Sequence, residues 1–248
     1  MTSFARQTGH RVAFAWGPDE AAVIVGSEPS LAVVVDVLSF STTVTVAAES
    51  GITVYPSVRR GREAELFAES VGATLAPVRT PDTPSLSVAS MRGAIAGRVV
   101  VASPNGATTS LRLAERGARV VVGCLRNAWA VGAVAASFLA GRDDSRVVVV
   151  ACGERWPDGG LRPCVEDLWA AGAILRAIDS VDLSPEAATA RTAAPVGDVT
   201  AALLDCASGR ELVGAGFSTD VHIAAEVDAC ALVPELVDGA FVASPPMN

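Results

Sequence analysis

Polar residues collect at four junctions of this sequence, where an apolar segment gives way to a helical one. The junctions span residues 36–43, 103–109, 123–127 and 152–167. Asp36, Glu166 and Asp167 offer hard oxygen ligands suited to Mg²⁺, which takes one or two carboxylates together with water. Asn105 and Gly106 form a tight turn before a helix, and the backbone N–H groups of such a turn suit a phosphate or carboxylate. The pattern predicts a site for a small anion and a metal ion.

The same polar residues have a simpler explanation as helix caps. Ser41 or Thr42, Asn105 and Asn127 each stand where a helix N-cap is expected, and one cap stabilises a fold by about 1 kcal/mol. Asp36 needs a different account, because a carboxylate at the end of a strand covered on both faces requires a cation or several donors. A structural salt bridge to an arginine is the alternative to a functional role for Asp36.

The elements that must position these residues follow from the β-branched runs. Residues 31–35 and 147–151 are apolar at every position, as expected for strands covered on both faces. The predicted strands span residues 10–16, 31–35, 52–55, 98–102, 119–122 and 146–151. The predicted helices span residues 42–50, 60–71, 107–116, 128–139, 165–178, 185–194 and 199–207.

Alternating strands and helices predict an α/β fold with three layers, α/β/α, built on a mainly parallel, mixed sheet. A glycine-rich turn is expected around Gly214 and Gly216. The apolar runs 229–233 and 239–243 are predicted to close the edge of the sheet, with an antiparallel orientation as one option. No linker or repeat divides the sequence, so residues 1–248 are predicted to form a single α/β domain.

An open α/β sheet binds its ligands beyond the carboxyl ends of its strands. Because each junction follows a predicted strand, we expect Asp36, Asn105, Asn127 and Asp167 to approach one another there. Glu166 and Asp167 are neighbours on a helix and cannot point the same way, so only one of them is expected to bind the metal.

The composition excludes several kinds of chemistry. All 19 basic residues are arginines, and the absence of lysine rules out a Schiff base and the phosphate-binding loop that ends in Lys-Ser or Lys-Thr. Two histidines and five widely spaced cysteines give little support to a histidine-dependent triad, a disulfide framework or a zinc site. A net charge of -8 and a pI near 4.8 disfavour nucleic acid as a partner.

No segment has the pattern of a membrane span or a targeting signal. The longest uncharged apolar stretch, residues 127–141, falls short of the roughly 20 residues that cross a bilayer. The N-terminus lacks the apolar core of a signal peptide. We therefore expect a cytoplasmic protein without a membrane partner.

Several segments resemble, in order and spacing, those of one enzyme family over nearly the whole chain. The segments are residues 33–38 with the aspartate after a strand, Asn105-Gly106, residues 123–131, Glu166-Asp167 with residues 171–174, and the closing residues 216–221 and 232–234. The family is that of the 2-phosphosulfolactate phosphatases, magnesium-dependent enzymes associated with coenzyme M synthesis.

Three departures from the family pattern bear on the substrate. Ser39 stands where the family usually has an arginine. Residues 76–82 replace its glycine- and glutamate-rich loop without the glutamate, and residues 155–162 form a longer loop before the acidic pair. Ser39 cannot supply the missing positive charge, which would bind phosphate or sulfonate. The arginines that could supply it from another loop are Arg79, Arg126, Arg155 and Arg162.

The resemblance implies a magnesium-dependent phosphomonoester hydrolase acting on a small phosphorylated hydroxy acid. The expected catalytic residues are Asp36, Asn105 and Asp167, and the expected metal ligands are Asp36, Glu166 and Asp167. The expected anion-binding residues are Ser39, Ser41, Thr42, Asn105, Gly106, Thr108, Arg126 and Asn127. Asp36 is either a metal ligand or a nucleophile.

Other functions remain open at this level. The main alternative is a non-catalytic or regulatory relative that keeps the anion pocket and has lost catalysis with the missing arginine and glutamate. An Asp-x-Asp phosphatase of the haloacid dehalogenase type is disfavoured, because the second aspartate is Leu38 and no lysine exists to hold the phosphoryl group. A homo-oligomer is compatible with the sequence, which does not specify the oligomeric state.

Overall fold

The valine-rich segments form strands in the computed structural model, which describes residues 3–77, 79–95, 97–179 and 182–244. All six predicted strands are present, together with further short ones. The strands are β1 (Val12–Trp16), β2 (Ser30–Val35), β3 (Thr53–Ser57), β4 (Thr74–Leu75), β5 (Arg98–Ala102), β6 (Arg119–Gly123), β7 (Arg146–Ala151), β8 (Glu154–Arg155), β9 (Leu161–Arg162), β10 (Val233–Val237) and β11 (Ala240–Ser244).

The seven predicted helices also form, each within two residues of its predicted ends. Four further helices, α1, α4, α10 and α11, were not predicted, since helices of four to eight residues show too few turns of apolar periodicity. The helices are α1 (Gly17–Ile24), α2 (Phe40–Glu49), α3 (Gly61–Ser70), α4 (Val88–Met91), α5 (Gly106–Ala114), α6 (Ala128–Gly141), α7 (Val165–Ala177), α8 (Pro185–Thr192), α9 (Val199–Asp205), α10 (Ala207–Gly214) and α11 (Ser218–Ala224). The predicted glycine turn follows α10.

Nine strands form one sheet in the order β1-β7-β2-β6-β10-β11-β3-β5-β4, and β8 and β9 form a separate hairpin. The strands β1, β7, β2 and β6 are parallel to one another, and so are β3, β5 and β4. Antiparallel pairings of the β10–β11 hairpin join the two groups. The predicted α/β class with a mainly parallel, mixed sheet is confirmed.

The position predicted for the C-terminal hairpin is wrong. The hairpin does not close an edge of the sheet but lies inside it, between β6 and β3, and its first strand begins only at Val233. Its antiparallel orientation is confirmed. Two groups of parallel strands leave facing edges with unpaired N–H and C=O groups, and the hairpin satisfies both. Position near the end of a sequence does not indicate which edge a hairpin fills.

The strands alternate their side chains between two apolar layers. In β2, Leu31 and Val33 pack with residues of α6 and α7 on one face, whereas Ala32 and Val34 pack with residues of α2 and α5 on the other. Both faces of β2 are therefore buried, which makes the three layers. The polar residue that follows β2 consequently begins its turn inside the protein.

Helix α5 connects distant parts of the sheet. Four strands separate β2 from β5, and three antiparallel pairings lie between them, so β5 is nominally antiparallel to β2. Helix α5 leaves β5 and packs against β3, β6 and β2. The start of α5 therefore reaches the end of β2, although the two strands do not share a simple carboxyl edge as predicted.

Two further expectations can be compared with the structure. No helix among the described residues is long and apolar enough to cross a membrane. All five cysteines are buried and unpaired, in agreement with the expected absence of a disulfide framework.

Candidate active site

The turn after β2 holds the carboxylate of Asp36 inside the protein. Asp36 is only 6% exposed. Its Oδ1 accepts a hydrogen bond from the amide of Phe40 at 3.3 Å, and its Oδ2 accepts one from the amide of Gly106 at 2.8 Å. The Ser41 hydroxyl accepts from the Asp36 amide and donates to the carbonyl of Val34, both at 2.9 Å. These bonds fix the carboxylate in one orientation.

Gly106 must be a glycine for the start of α5 to approach Asp36 this closely. A Cβ at this position would lie 2.6 Å from Cγ of Phe40 and 2.8 Å from Oδ2 of Asp36. The predicted turn is present, but the Gly106 amide donates to the protein's own carboxylate. It is therefore not available to a phosphate while that bond is made.

Asp167, in the first turn of α7, ties the ends of β2 and β7 together. Its side chain is buried, and Oδ1 accepts from the amide of Val37 while Oδ2 accepts from the amide of Gly153, both at 2.8 Å. Gly153 has a φ of +63°, a conformation that other residues rarely adopt. This pair of bonds brings the 152–167 junction to the 36–43 junction.

Glu154 is an acidic residue of this site that was not among the site residues predicted from the sequence. Its Oε2 accepts a hydrogen bond of 2.8 Å from Nδ2 of Asn105, and the amide of Asn105 donates to Oγ of Ser103 at 3.3 Å. Glu154 lies three residues after the end of β7, within a predicted junction. This position could have identified Glu154 as a site residue, since a carboxylate after a buried strand is unusual.

The pKa values of two carboxyl groups in the site are raised. Burial raises the pKa of Asp36 from its ordinary value to about 7, with a further contribution from the charge of Glu154, whereas Arg79 and the backbone N–H donors act in the opposite direction. Burial also raises the pKa of Asp167 well above its ordinary value, helped by the charges of Asp36 and Glu166. Burial and mutual repulsion therefore favour the protonated forms of Asp36 and Asp167 when no cation is bound.

Arg79 brings a positive charge to Ser39, the position where the family pattern has an arginine. Its Nη1 donates to Oγ of Ser39 and to Oδ2 of Asp220, both at 2.9 Å, and the Arg79 side chain is 16% exposed. The buried Asp220 also accepts from the Ser87 hydroxyl and the Ala89 amide at 2.8 Å. Of the four arginines considered from sequence, Arg79 is the one that reaches this turn.

Two predicted anion-binding hydroxyls serve the turn itself. Both Ser41 and Thr42 are fully buried, and the Thr42 hydroxyl donates to the carbonyl of Val37 at 2.7 Å. Ser41 binds main-chain groups, as described above. The structure directs these hydroxyls to the backbone, but the expectation that one of them caps the helix is wrong, because α2 begins at Phe40 with Ser39 as its N-cap residue.

The 123–127 junction does not deliver its side chains to Asp36. Oδ1 of the buried Asn127 accepts from the amide of Cys124 at 2.9 Å, which closes the turn after β6. The guanidinium of Arg126 is buried and forms ion pairs with Glu49, at 2.8 Å, and with Glu226. Both side chains are already engaged by these partners, Arg126 by two partly exposed carboxylates and Asn127 by the backbone, so the structure gives them supporting positions.

The remaining predicted residues lie around the site. Glu166 is buried and its carboxyl group lies against the Cys206 thiol, away from the amides that hold Asp167. Thr108 lines a separate cleft and its hydroxyl is 3.5 Å from the carbonyl of Ser103. The expected divergence of the two acidic neighbours on α7 is thus present in the structure.

The other two arginines considered from sequence bind elsewhere. The exposed Arg155 donates to the carbonyl of Gly159 at 3.2 Å, within the loop that joins β8 and β9. Arg162 forms a two-pronged ion pair of 3.0 Å with Glu211. Neither guanidinium contacts the turn after β2.

The donor set at Asp36 and Asp167 fits a partly hydrated metal ion. Among the described residues, no group of three or more His, Cys, Asp or Glu side chains is arranged to enclose a metal. Mg²⁺ does not require such a cage, because it usually keeps several waters and takes one or two carboxylates. Each carboxylate oxygen accepts one N–H and retains a further lone pair. A cation here would also favour the ionised forms of both carboxyl groups.

The fold and this arrangement define the class of protein. Ligands of α/β proteins bind in the loops beyond the carboxyl ends of the strands, and buried groups with shifted pKa values are candidates for functional sites. The family model for 2-phosphosulpholactate phosphatase matches residues 24–239. The chain therefore belongs to the 2-phosphosulpholactate phosphatase family and is a phosphoric monoester hydrolase, as the resemblance predicted.

A relative supports this assignment. The chain is 30% identical over 226 residues to a protein of Deinococcus radiodurans named probable 2-phosphosulfolactate phosphatase. The match covers 85% of this chain and 89% of that protein. The similarity thus extends over most of both proteins.

Proposed function

We propose that this chain hydrolyses the phosphate ester in 2-phosphosulfolactate, with Mg²⁺ as its cofactor. The observation that carries the proposal is the buried pair Asp36 and Asp167, fixed by four backbone amides and short of positive charge. Family membership supports the reaction and the substrate class.

The metal site would consist of one oxygen each from Asp36 and Asp167, with water and substrate completing it. When bound there, Mg²⁺ supplies positive charge for the phosphoryl oxygens and lowers the pKa of a bound water. The amides of Phe40, Gly106 and Gly153 keep the two carboxylates in place without competing for all of their lone pairs.

Arg79 and Asn105 supply the donors that the chain itself offers to the phosphoryl group. Arg79 has five N–H donors, and its contacts with Ser39 and Asp220 use only Nη1 among the described residues. Asn105 donates one N–H of its amide to Glu154 and keeps the second. Donors fixed in this way gain strength as charge develops on the phosphoryl oxygens.

Glu154 is placed to accept the proton of the attacking water. It is less buried than Asp36, and Asn105 holds its carboxylate at 2.8 Å. A carboxylate fixed beside the substrate can act as a general base at neutral pH. In this arrangement Asp36 holds the metal, and a covalent phospho-aspartate is not required.

Phosphate release from 2-phosphosulfolactate, measured with and without Mg²⁺, tests the proposal. We expect Mg²⁺-dependent turnover in the wild type, loss of it in Asp36→Asn and Glu154→Gln, and unchanged turnover in the exposed control Asp143→Asn. A protein that releases no phosphate at any Mg²⁺ concentration, yet is stabilised thermally by 2-phosphosulfolactate, would be the binding relative instead.

A further inference from the structure

A second polar cleft lies at the ends of β3 and β5. The two strands pair in parallel and in register, so Ser57 and Ala102 end them at the same level. The residues that follow each strand flank a cleft of about 280 Å³. Its polar lining consists of Ser57, Arg59, Arg60, Ser103 and Thr108.

The two arginines of this cleft have no carboxylate partner among the described residues. The guanidinium of Arg59 stacks on the ring of Phe67, with 4.2 Å from Cζ to the ring centroid. Arg60 is exposed at the start of α3 and makes no side-chain bond to a described residue. In a chain with 27 acidic and 19 basic residues, two adjacent guanidiniums without an ion-pair partner among the described residues leave a local site of positive charge.

The cleft and the acidic site lie on opposite sides of one turn. Oγ of Ser103 accepts the Asn105 amide at 3.3 Å, and the Thr108 hydroxyl is 3.5 Å from the Ser103 carbonyl. On the other side of the same turn, Gly106 donates to Asp36 and the Asn105 side chain donates to Glu154. Residues 103–108 therefore contribute to both the acidic site and the cleft with the arginines.

The chemistry of the substrate matches an acidic site beside a positively charged cleft. In 2-phosphosulfolactate the phosphate ester and the carboxylate share one carbon, whereas the sulfonate stands on the next carbon. The sulfonate gains nothing from the carboxylates around Asp36, and its three oxygens match the fork of an arginine. We infer that Arg59 and Arg60 bind the sulfonate of the substrate in this cleft, an inference that rests on the proposed function for the identity of the substrate.

Binding and kinetics of two variants test the inference. Arg60→Ala leaves the contact between Arg59 and Phe67 intact, and Arg59→Ala/Arg60→Ala removes both charges. The matched control is Arg62→Ala. Arg62 lies in the first turn of α3, is exposed, pairs with Glu65 and does not line the cleft. KM and kcat are measured for the substrate 2-phosphosulfolactate and for its analogue 2-phospholactate, which lacks the sulfonate, and calorimetry measures the Kd for sulfolactate.

The expected result is a selective loss of affinity for the sulfonate. The double variant should raise both KM for the sulfonated substrate and Kd for sulfolactate by roughly tenfold or more, with kcat unchanged, as for uniform binding. For the analogue without the sulfonate, KM should stay within about twofold. Arg62→Ala should resemble the wild type for every ligand.

The outcomes separate this inference from the proposed function. Equal sulfolactate affinity in the wild type and the double variant, or no sulfolactate binding by the wild type, overturns the role of the cleft. Equal weakening of both phosphorylated substrates also overturns it, because the sulfonate would not be what the arginines bind. A wild type without phosphatase activity would refute the proposed function, while sulfolactate binding that needs both arginines would still support the subsite.

Discussion

The buried carboxylate of Asp36 accepts a 2.8 Å hydrogen bond from the backbone amide of Gly106, 70 residues further along the chain. This bond joins the turn after β2 to the start of α5. It also means that the helix start, which the sequence marks as an anion site, stabilises an internal carboxylate. Positive charge for a substrate must then come from Arg79, from a metal ion or from the arginines of the second cleft.

Gly106→Ala should disable the site. The added Cβ would overlap the Phe40 ring and Oδ2 of Asp36, so α5 must move away and carry Asn105 with it. Because a displacement of about 1 Å can cost 10²-fold in rate, we expect kcat/KM for phosphate release to fall by roughly that factor. Gly141→Ala is the control, since its Cβ would meet no atom within 4 Å. Activity of Gly106→Ala equal to that of the control would contradict the close approach.

Asp36→Asn should abolish Mg²⁺ binding, because the neutral amide is a poor ligand for a hard cation. Calorimetry of Mg²⁺ with the wild type, Asp36→Asn and Asp143→Asn measures this directly. We expect heat of binding in the wild type and the Asp143→Asn control alone. Equal Mg²⁺ affinity in all three proteins would remove Asp36 from the metal site.

The stability of the metal-free protein should fall as the pH rises from about 4 to 7. Folded Asp36 has a pKa of about 7, above its ordinary value of 3.8, so the folded state binds more protons than the unfolded state in this range. The free energy of unfolding decreases with pH wherever this holds, here by an amount on the order of 4 kcal/mol. Asp167 acts in the same direction.

Thermal melts at about pH 5 and about pH 8, without metal, check this slope. Asp36→Asn cannot ionise at this position and should lose a large part of the decrease in Tm, whereas Asp143→Asn should keep it. Added Mg²⁺ should restore stability at the higher pH in the wild type and in Asp143→Asn, but not in Asp36→Asn. A Tm that rises with pH in the metal-free wild type would show that the carboxylate is not held in this environment.

Arg79→Ala should reduce turnover by about 10²-fold, the usual loss for one donor to a developing oxyanion. Arg79→Lys should recover part of the rate, because it keeps the charge and loses the fork. Asp220→Asn should give a smaller loss, since Asp220 positions Arg79 and does not contact the reacting atoms. The control is Arg155→Ala, since among the described residues the exposed Arg155 side chain binds a loop carbonyl alone. A kcat of Arg79→Ala equal to that of the control would contradict a role for Arg79.

Arg126→Met should destabilise the fold while the folded enzyme keeps its specific activity. Arg126 is 3% exposed and pairs with Glu49 and Glu226, and losing hydrogen bonds to charged groups costs roughly 1.5–3 kcal/mol. Urea unfolding and phosphate release on the same sample separate the two effects. A loss of kcat without a loss of stability would return Arg126 to the substrate site, as the sequence suggested.

Much of the fold could be predicted because its determinants are local. Uninterrupted apolar runs such as residues 147–151 indicate strands covered on both faces, and the helical windows between them are long enough to show periodicity. The short α11 and the placement of the C-terminal hairpin could not be predicted in this way. The order of strands in a sheet depends on which edges remain unpaired after the rest has folded.

The type of site could be predicted from the sequence, but only some of its residues could. By itself, the sequence determined that Asp36 follows a buried strand, that Asn105 and Gly106 open a helix, and that Asp167 lies in the first turn of another. Only the tertiary structure decided that Glu154 and Arg79 join these residues.

This difference between what the sequence determined and what the tertiary structure decided has a physical reason. Hydrophobic periodicity and turn chemistry act over a few neighbouring residues, so they specify which elements form and where each one ends. The distance between two side chains from different elements depends on strand order, on sheet twist and on the path of α5 across the sheet. Those properties arise from the packing of the whole chain, and they place the amide of Gly106 against Asp36 and send the Arg126 guanidinium to Glu49.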